Sequence, residues 1–560
     1  MMTDPRLCVH KRDTAHRSDG RVIAVPALVV LTIGSIVAGA AGQGLADPDA
    51  LDVRLALRSS VEFGHAEIAS VDPASGLVLC TGKRGVAVMK LGEDGALAIE
   101  RVVDVAAGAG LPASIDGEIS HVACDPRGRG VAAACVIPSD RAGVQGRVVF
   151  FRPESGEILS SVLVGFNPDS LSFTPDGSRV CVANEGEPGV QADGVPCDPP
   201  GSISVIATAG PKDAAAFRTV GQPNVVTAYF SGEAFEKVMS ESDPSRRLRI
   251  HPLRRSAAPL DIEPECVTTD NEHAYVTLQE NNGIAVFDFA TTRWSLIRSL
   301  GFTPRVIDPS DKDGGANVSM AISAMPMPDQ LARFEVGGRA YLVTADEGDD
   351  RGEWESSKAP LGDSARLKRL GELAMLSPAT AKAAQSGDRG PGRLKVCAFS
   401  GDLDGDGMIE HPAILGARSI SVWDAATLEH VGDSGSLIEQ GIATWFPAQF
   451  NADSVAGSPP DSQSDTRGPE PEGITTGVLD GRTYAFVTLE RPGGVAAFDV
   501  SDPVTPRLAG LVMTAGEGYL APEGIVFLDA AKSPTGKAAL VVAYEVSGRV
   551  VVFDVVIAKK

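Results

Sequence analysis

Apolar and polar residues alternate at a period of two along most of the chain, and turn-forming pairs interrupt the alternation at regular intervals. Runs of this kind are strands, and Asp-Gly or Gly-Gly between them marks a tight antiparallel turn. Residues 468–489, GPEPEGITTGVLDGRTYAFVTL, give the clearest example. Glu470 and Glu472 precede a first run, 474–478; Asp480-Gly481 turns the chain; a second run, 483–489, stops on Glu490. After Pro492-Gly493-Gly494 a third run covers 495–500. The stretch predicts a three- or four-stranded meander with one carboxylate at the start of strand one and another at the end of strand two.

The same unit recurs. Strand one opens at Glu67, Glu118, Asp169, Glu265, Asp329, Glu472 and Glu523, and strand two closes on Glu185, Glu280, Glu347, Glu490 and Glu545 in five of the seven units. Lys83 replaces the closing acid in the first unit, and the second has none. A single meander cannot bury both its faces, so a series of them stacks. Seven such units predict an all-β fold, a seven-bladed β-propeller of the YVTN/WD40-like kind, spanning residues 50–558 as one domain. A sandwich needs no acid-led repeat, and β-helix coils are shorter than units of about 50 residues. The run 51–57 is strand-like and is predicted to complete the last unit, which otherwise lacks its outermost strand and would leave an open edge. Three insertions interrupt the spacing, at about 207–260, 348–400 and 425–468.

Residues 1–45 read differently. A polar, basic start with Lys11, Arg12, Arg17 and Arg21 leads into the apolar run 22–41, where Ala38-Gly39-Ala40 fits a cleavage site. The expectation is a signal peptide, and hence a secreted, periplasmic or cell-surface protein; an uncleaved anchor is the alternative. No second apolar span follows, so no membrane crossing is expected after cleavage, and the chain is expected to be a monomer. The formal charge of −23 excludes nucleic acid as a partner, since phosphates call for Lys/Arg stripes. Cleavage would leave seven cysteines, an odd, scattered set that argues against a disulfide framework, although Cys124 with Cys135 and Cys181 with Cys197 flank local turns.

The acids carry the candidate chemistry. In a propeller the start of each innermost strand and the end of its neighbour share one rim. The seven opening acids should therefore ring one mouth of the channel, with the five closing acids just outside. Two unit charges about 6 Å apart at an effective dielectric of about 20 repel by about 3 kcal/mol. Protonation, pairing with Arg or backbone amides, or bound cations must relieve that repulsion. Arg351 and Arg491 follow Glu347 and Glu490 and are expected partners. The oxygen-only ligand set favours Ca²⁺ first and Mg²⁺ second. A structural role, with the acids clasping backbone amides of neighbouring blades, is the competing reading. A second site is more specific: Asp402, Asp404, Asp406 and Glu410 occupy positions 1, 3, 5 and 9 of a Ca²⁺-type loop, with Gly407 at position 6 and the carbonyl of Met408 at position 7. Ala413 stands where a bidentate acid usually closes such a loop. Gly432-Asp433-Ser434-Gly435 looks like a serine-protease loop but has no assignable histidine partner.

Several stretches together resemble the choice-of-anchor I family: VANEGEP (182–188), YVTLQENN (275–282), SDKDGG (310–315), LVTADEGDDR (342–351), GDLDGDG (401–407), LGARSISVWD (415–424), GPEPEG (468–473) and APEGIVF (521–527). Some members are labelled mesenchyme-specific cell surface glycoprotein and some alkaline phosphatase. The resemblance implies a propeller-like domain displayed outside the cell. Arg467 stands where Lys is usual before GPEPEG, and Tyr544 where Asn is usual before Glu545. Two functions follow as expectations: a Ca²⁺-stabilised module that binds a ligand or partner, and a metal-dependent phosphohydrolase in which Arg351, Arg491 or the basic stretch 246–255 would hold phosphate oxygens.

Overall fold

The alternating runs become antiparallel strands in the computed structural model, which describes residues 51–558 apart from 191–195, 209–213, 352–361, 386 and 388. The expected signal peptide lies outside the described residues. Among the described residues there are seven four-stranded antiparallel sheets, and each corresponds to one acid-led unit. The sixth sheet, for example, runs Pro471–Leu479, Arg482–Leu489, Gly494–Asp499, Arg507–Met513, with neighbours paired in that order. The seventh takes three strands from the C-terminal end, Pro522–Leu528, Ala539–Tyr544 and Arg549–Ile557, and its fourth from the other end of the chain. That fourth strand, Val53–Glu62, pairs antiparallel with Arg549–Ile557 from Val53 opposite Ile557 to Glu62 opposite Arg549.

The sheets meet in sequence order. The first strands, Ala69–Val71, Gly117–Cys124, Pro168–Phe173, Val267–Thr269, Leu331–Val336, Pro471–Leu479 and Pro522–Leu528, each touch the next, and the last touches the first. The fold is a β-propeller. Apolar clusters fill the space between consecutive sheets. Val148 and Phe150 of the second sheet pack on Val180 and Val182 of the third with Phe217 between them. Phe486 and Val495 of the sixth pack on Leu540, Val542 and Phe553 of the seventh. Burying each such large side chain is worth about 1.5–3 kcal/mol.

The insertions are more ordered than their Ser/Asp/Pro-rich sequence suggests. Leu437–Trp445 is a helix that buries Ile438 and Ile442 against the fifth and sixth sheets. A three-stranded sheet, Thr303–Ile307, Met320–Met325 and Ala413–Leu415, lies outside the repeat, and no alternation in the sequence pointed to it. Together with Leu367, Leu370, Leu394, Val396 and Ile409 it forms a separate apolar core. All seven cysteines among the described residues are free thiols, so neither turn-flanking pair is bridged. No described helix is long and apolar enough to cross a membrane.

Candidate metal centre

Bulges aim the opening acids. Strand pairing slips between Pro168 and Ser170, between Pro471 and Ile474, and between Pro522 and Ile525, which leaves Asp169, Glu472 and Glu523 inside the irregularities. A bulge frees a residue from the ladder and turns its side chain. Glycine after the acid then allows neighbouring first strands to close up. A Cβ on Gly473 would lie 1.9 Å from the carbonyl oxygen of Glu523, and one on Gly524 would lie 2.5 Å from that of Glu67. Threonines of the second strands knit the contact: Thr488 receives the amide of Gly473 at 2.7 Å and donates to the Glu523 carbonyl at 3.1 Å, while Thr277 donates to the Asp329 carbonyl at 2.8 Å.

Six of the seven opening acids, Glu67, Asp169, Glu265, Asp329, Glu472 and Glu523, line one cavity of about 210 Å³. Glu118 does not line it, though its charge acts on Glu67. Glu347 was expected outside the ring but also lines this cavity. Its carboxylate oxygen lies within 4.8 Å of those of Asp329 and Glu472, and a second group joins Glu347 to Glu470 and Glu490 at the same spacing. Of the remaining closing acids, Glu185 accepts a hydrogen bond from Asn167, Glu280 sits beside Glu263 and Arg351, and Glu545 acts on Glu523 and Glu67.

Protein groups relieve little of this crowding. Gln279 donates to Glu347 at 2.8 Å, and His65 lies 3.4 Å from Glu67. No carboxylate of the seven opening acids accepts a backbone amide hydrogen bond among the described residues, and threonine and serine hydroxyls, such as Ser120 on the Pro168 carbonyl at 2.6 Å, bridge the sheets instead. An oxygen of Glu472 and one of Glu280 are buried without a hydrogen-bond partner. Burial first, and neighbouring carboxylates second, push Asp169 up to about 7. Burial likewise drives Glu347 to about 8, with Glu470 and Asp349 adding to the rise and Arg467 opposing it. Glu490 rises to about 9 through burial and the nearby charge of Glu470. Glu265, Asp329, Glu472, Glu523, Glu185 and Glu280 are raised well above the ordinary carboxylate range for the same leading reason. Cations in the cavity would remove the penalty.

The arginines depart from expectation in part. Arg491 does reach Glu490, at 3.3 Å, but its stronger partner is Glu470 at 2.7 Å. Arg351 does not serve Glu347. It is 2 % exposed and bound to Glu263 at 2.6 Å and to the Asp261 carbonyl at 3.0 Å, so it is not placed to hold a phosphate. Arg467, from 120 residues further along, approaches Glu347 at 3.6 Å instead. Sequence reading also missed Glu470, Asp349 and His121. His121 lines the cavity and is held near 4 by burial alone. It adds an imidazole to a lining that also includes the Cys266 thiol and the Gln279 and Gln330 amides.

The Asp402 loop folds on its own carboxylates. Asp402 receives the amides of Gly405 and Gly407 at 2.7 and 3.0 Å, Asp404 that of Asp406 at 3.1 Å, and Asp406 that of Met408 at 2.8 Å. Oxygens of Asp402, Asp404, Asp406 and Glu410 lie within 4.8 Å of one another, and one oxygen of Glu410 is buried without a partner. These donors suit a hard cation. The loop borders a cavity of about 660 Å³ that is also lined by Arg249, Phe302 and Phe399. Asp308, Asp313 and Asp461 form a further acidic group that the sequence did not single out.

A profile of the choice-of-anchor I domain matches residues 67–503, from the first rim acid into the sixth sheet. The chain belongs to this family. Among curated relatives, the choice-of-anchor I domain described here is 29 % identical over 183 residues to Gigasin-3a of Magallana gigas, covering 29 % of this chain and 64 % of that one. It is 28 % identical over 223 residues to the Mesenchyme-specific cell surface glycoprotein of Strongylocentrotus purpuratus, covering 35 % of this chain and 28 % of that one. The match thus spans less than two thirds of either relative. Two solved structures align with most of the chain: the Cps50 (Swd1) β-propeller domain of Myceliophteria thermophila, at TM-score 0.43 and 9 % identity over 90 % of this chain and 99 % of that one, and hydrazine synthase of Kuenenia stuttgartiensis, at TM-score 0.44 and 12 % identity over 92 % and 99 %. The order of the sheets and the contact of the last with the first make the fold a propeller.

Proposed function

We propose that this choice-of-anchor I domain is a binding module, secreted or displayed at the cell surface, that works with hard divalent cations bound. Its seven sheets are taken as the seven blades of one ring. Ca²⁺ is the first choice and Mg²⁺ the second, held in the rim cavity by Asp329, Glu347 and Glu472 and separately by the Asp402 loop. The observation that carries the reading is that, among the described residues, protein donors reach only some of a buried set of rim acids, with an oxygen of Glu472 left buried and without a partner. A set this crowded stays charged only with positive ions among it. The location is supported by the name of one relative, a cell surface glycoprotein, and by the signal-like N-terminal segment. The partner is an extracellular ligand bridged by, or docked beside, the bound cations.

A second reading, metal-dependent hydrolysis of phosphomonoesters, is favoured by one observation: Arg467 and Arg491 border the Glu347, Glu470 and Glu490 group. Bound cations would activate water there while arginines hold phosphate oxygens.

Metal analysis separates the possibilities. Protein dialysed against Ca²⁺ should retain more than one equivalent; Asp404→Asn with Asp406→Asn should lose the loop equivalent, and Glu472→Gln with Asp329→Asn the rim ions. Protein that takes up no divalent cation after such dialysis would overturn the reading. Turnover of a generic phosphomonoester that chelation stops and Glu472→Gln abolishes in folded protein would move the assignment to the second reading.

A further inference from the structure

Beside the rim lies another cavity, also of about 210 Å³, lined among others by Arg467, Arg491, Lys395, Gln463, Asp350 and Asp453. One buried carboxylate organises it. Glu470 is 1 % exposed and takes the Nε of Arg467 at 3.2 Å on one oxygen and the Nε of Arg491 at 2.7 Å on the other. The Nη1 atoms are committed as well: that of Arg467 donates to the Gly348 carbonyl at 2.7 Å and to Asp349, and that of Arg491 to Ser454 at 3.3 Å and Asp453 at 3.4 Å. Neither Nη2 finds a protein acceptor among the described residues, and neither is sealed from solvent. The two guanidinium groups stand close enough to oppose one another's charge.

Holding two like charges side by side has a structural cost. Glu470 meets it in a left-handed backbone conformation, φ 45°, that a non-glycine residue seldom adopts. Lys395 adds a third cation whose nearest carboxylate oxygen, on Asp350, is 3.9 Å away and beyond hydrogen-bond reach. Gln463 spends its carbonyl oxygen on Thr466 at 2.6 Å, which leaves its amide N–H groups free as donors. Glu470, Asp350 and Asp453 balance the formal charge of the three cations, so the cavity's surplus lies in oriented N–H donors. Two fixed guanidinium edges with an ammonium nearby match the oxygens of a tetrahedral oxyanion.

We propose that this cavity is an oxyanion subsite, taking phosphate or sulfate, free or as the end group of a larger ligand, between Arg467, Arg491 and Lys395. It needs no bound cation and no reaction, so it stands whether or not the rim holds metal.

The test uses the full chain, stripped of metal with EDTA and then desalted into chloride buffer. Inorganic phosphate and sulfate are titrated calorimetrically, with acetate as the planar control. Saturable one-to-one binding of a tetrahedral anion is expected without metal. Lys395→Ala, whose side chain is 43 % exposed and does not touch Glu470, should weaken it about tenfold or more, the equivalent of about 1.4 kcal/mol. Arg491→Gln should weaken it further; its fold is checked by circular dichroism, and if it unfolds the lysine variant decides alone. No saturable heat with phosphate or sulfate would overturn the proposal. So would binding that appears only after Ca²⁺ is restored and is unchanged in Lys395→Ala, because the anion would then sit on the metal. A ligand bearing a phosphoryl or sulfuryl ester that competes with the inorganic ion would identify the larger-ligand source.

Discussion

Metal-free protein should lose stability as pH rises from 6 to 9, and divalent cation should remove that loss. The ordinary value of 3.8 for Asp169 moves to about 7, and that of 4.5 moves to about 8 for Glu347 and about 9 for Glu490. These folded-state values are raised, so the stability they carry is fully present below the ordinary carboxylate values and is lost as pH rises through 7, 8 and 9. Each acid that is protonated in the fold and ionised in the unfolded chain lowers the unfolding free energy by about 1.4 kcal/mol per pH unit. Three together would give about 4 kcal/mol per unit up to about pH 7, and the slope then falls as Asp169 and next Glu347 ionise in the fold. They repel one another and titrate as a set, so about 2 kcal/mol per unit is the working figure. Against a total stability of about 5–15 kcal/mol, two pH units then remove a large part of the margin. A cation at a hundred times its dissociation constant restores about 2.7 kcal/mol per site. Thermal midpoints followed by circular dichroism at pH 6, 7, 8 and 9, in stripped protein and with Ca²⁺, test this. A metal-free midpoint that stays level or climbs across that range would refute the reasoning, as would a Ca²⁺ shift of equal size at pH 6 and pH 9.

Two further outcomes bear on the frame that holds the rim. Arg351→Met should destabilise by about 3–5 kcal/mol, because it removes the 2.6 Å ion pair to Glu263 and the 3.0 Å bond to the Asp261 carbonyl from a fully buried setting; chemical denaturation reads this, and a loss below about 1 kcal/mol would contradict the placement. Gly473→Ala should cost at least about 1–3 kcal/mol and lower cation uptake, since its new methyl would meet the Glu523 carbonyl oxygen at 1.9 Å and force two first strands apart; unchanged melting and metal content would show that the strands do not abut.

What could be read from the chain was what is local. Period-two alternation and Asp-Gly turns act between residues a few positions apart, and they were enough to locate all seven units and the acid that opens each. The edge left by the last strand likewise pointed to the run 51–57, and the strand that pairs there is Val53–Glu62. The oxygen donors of the Asp402 loop lie within nine residues and fold on themselves, so their grouping was visible as well. Partnership between charges was not. Arg351 follows Glu347 by four positions yet turns to Asp261 and Glu263, while Arg467 and Glu470 arrive at Glu347 from the far side of an insertion. The helix Leu437–Trp445 and the sheet built on Thr303–Ile307 escaped notice because they are short, a nine-residue helix and strands of three to six residues, and their apolar partners lie in distant segments. Sequence alone settled where the repeating strand units lie and which carboxylate opens each one. Tertiary packing alone decided how closely those carboxylates crowd and which guanidinium answers which acid, because such energies depend on burial and on separation in space, and neither is carried by spacing along the chain.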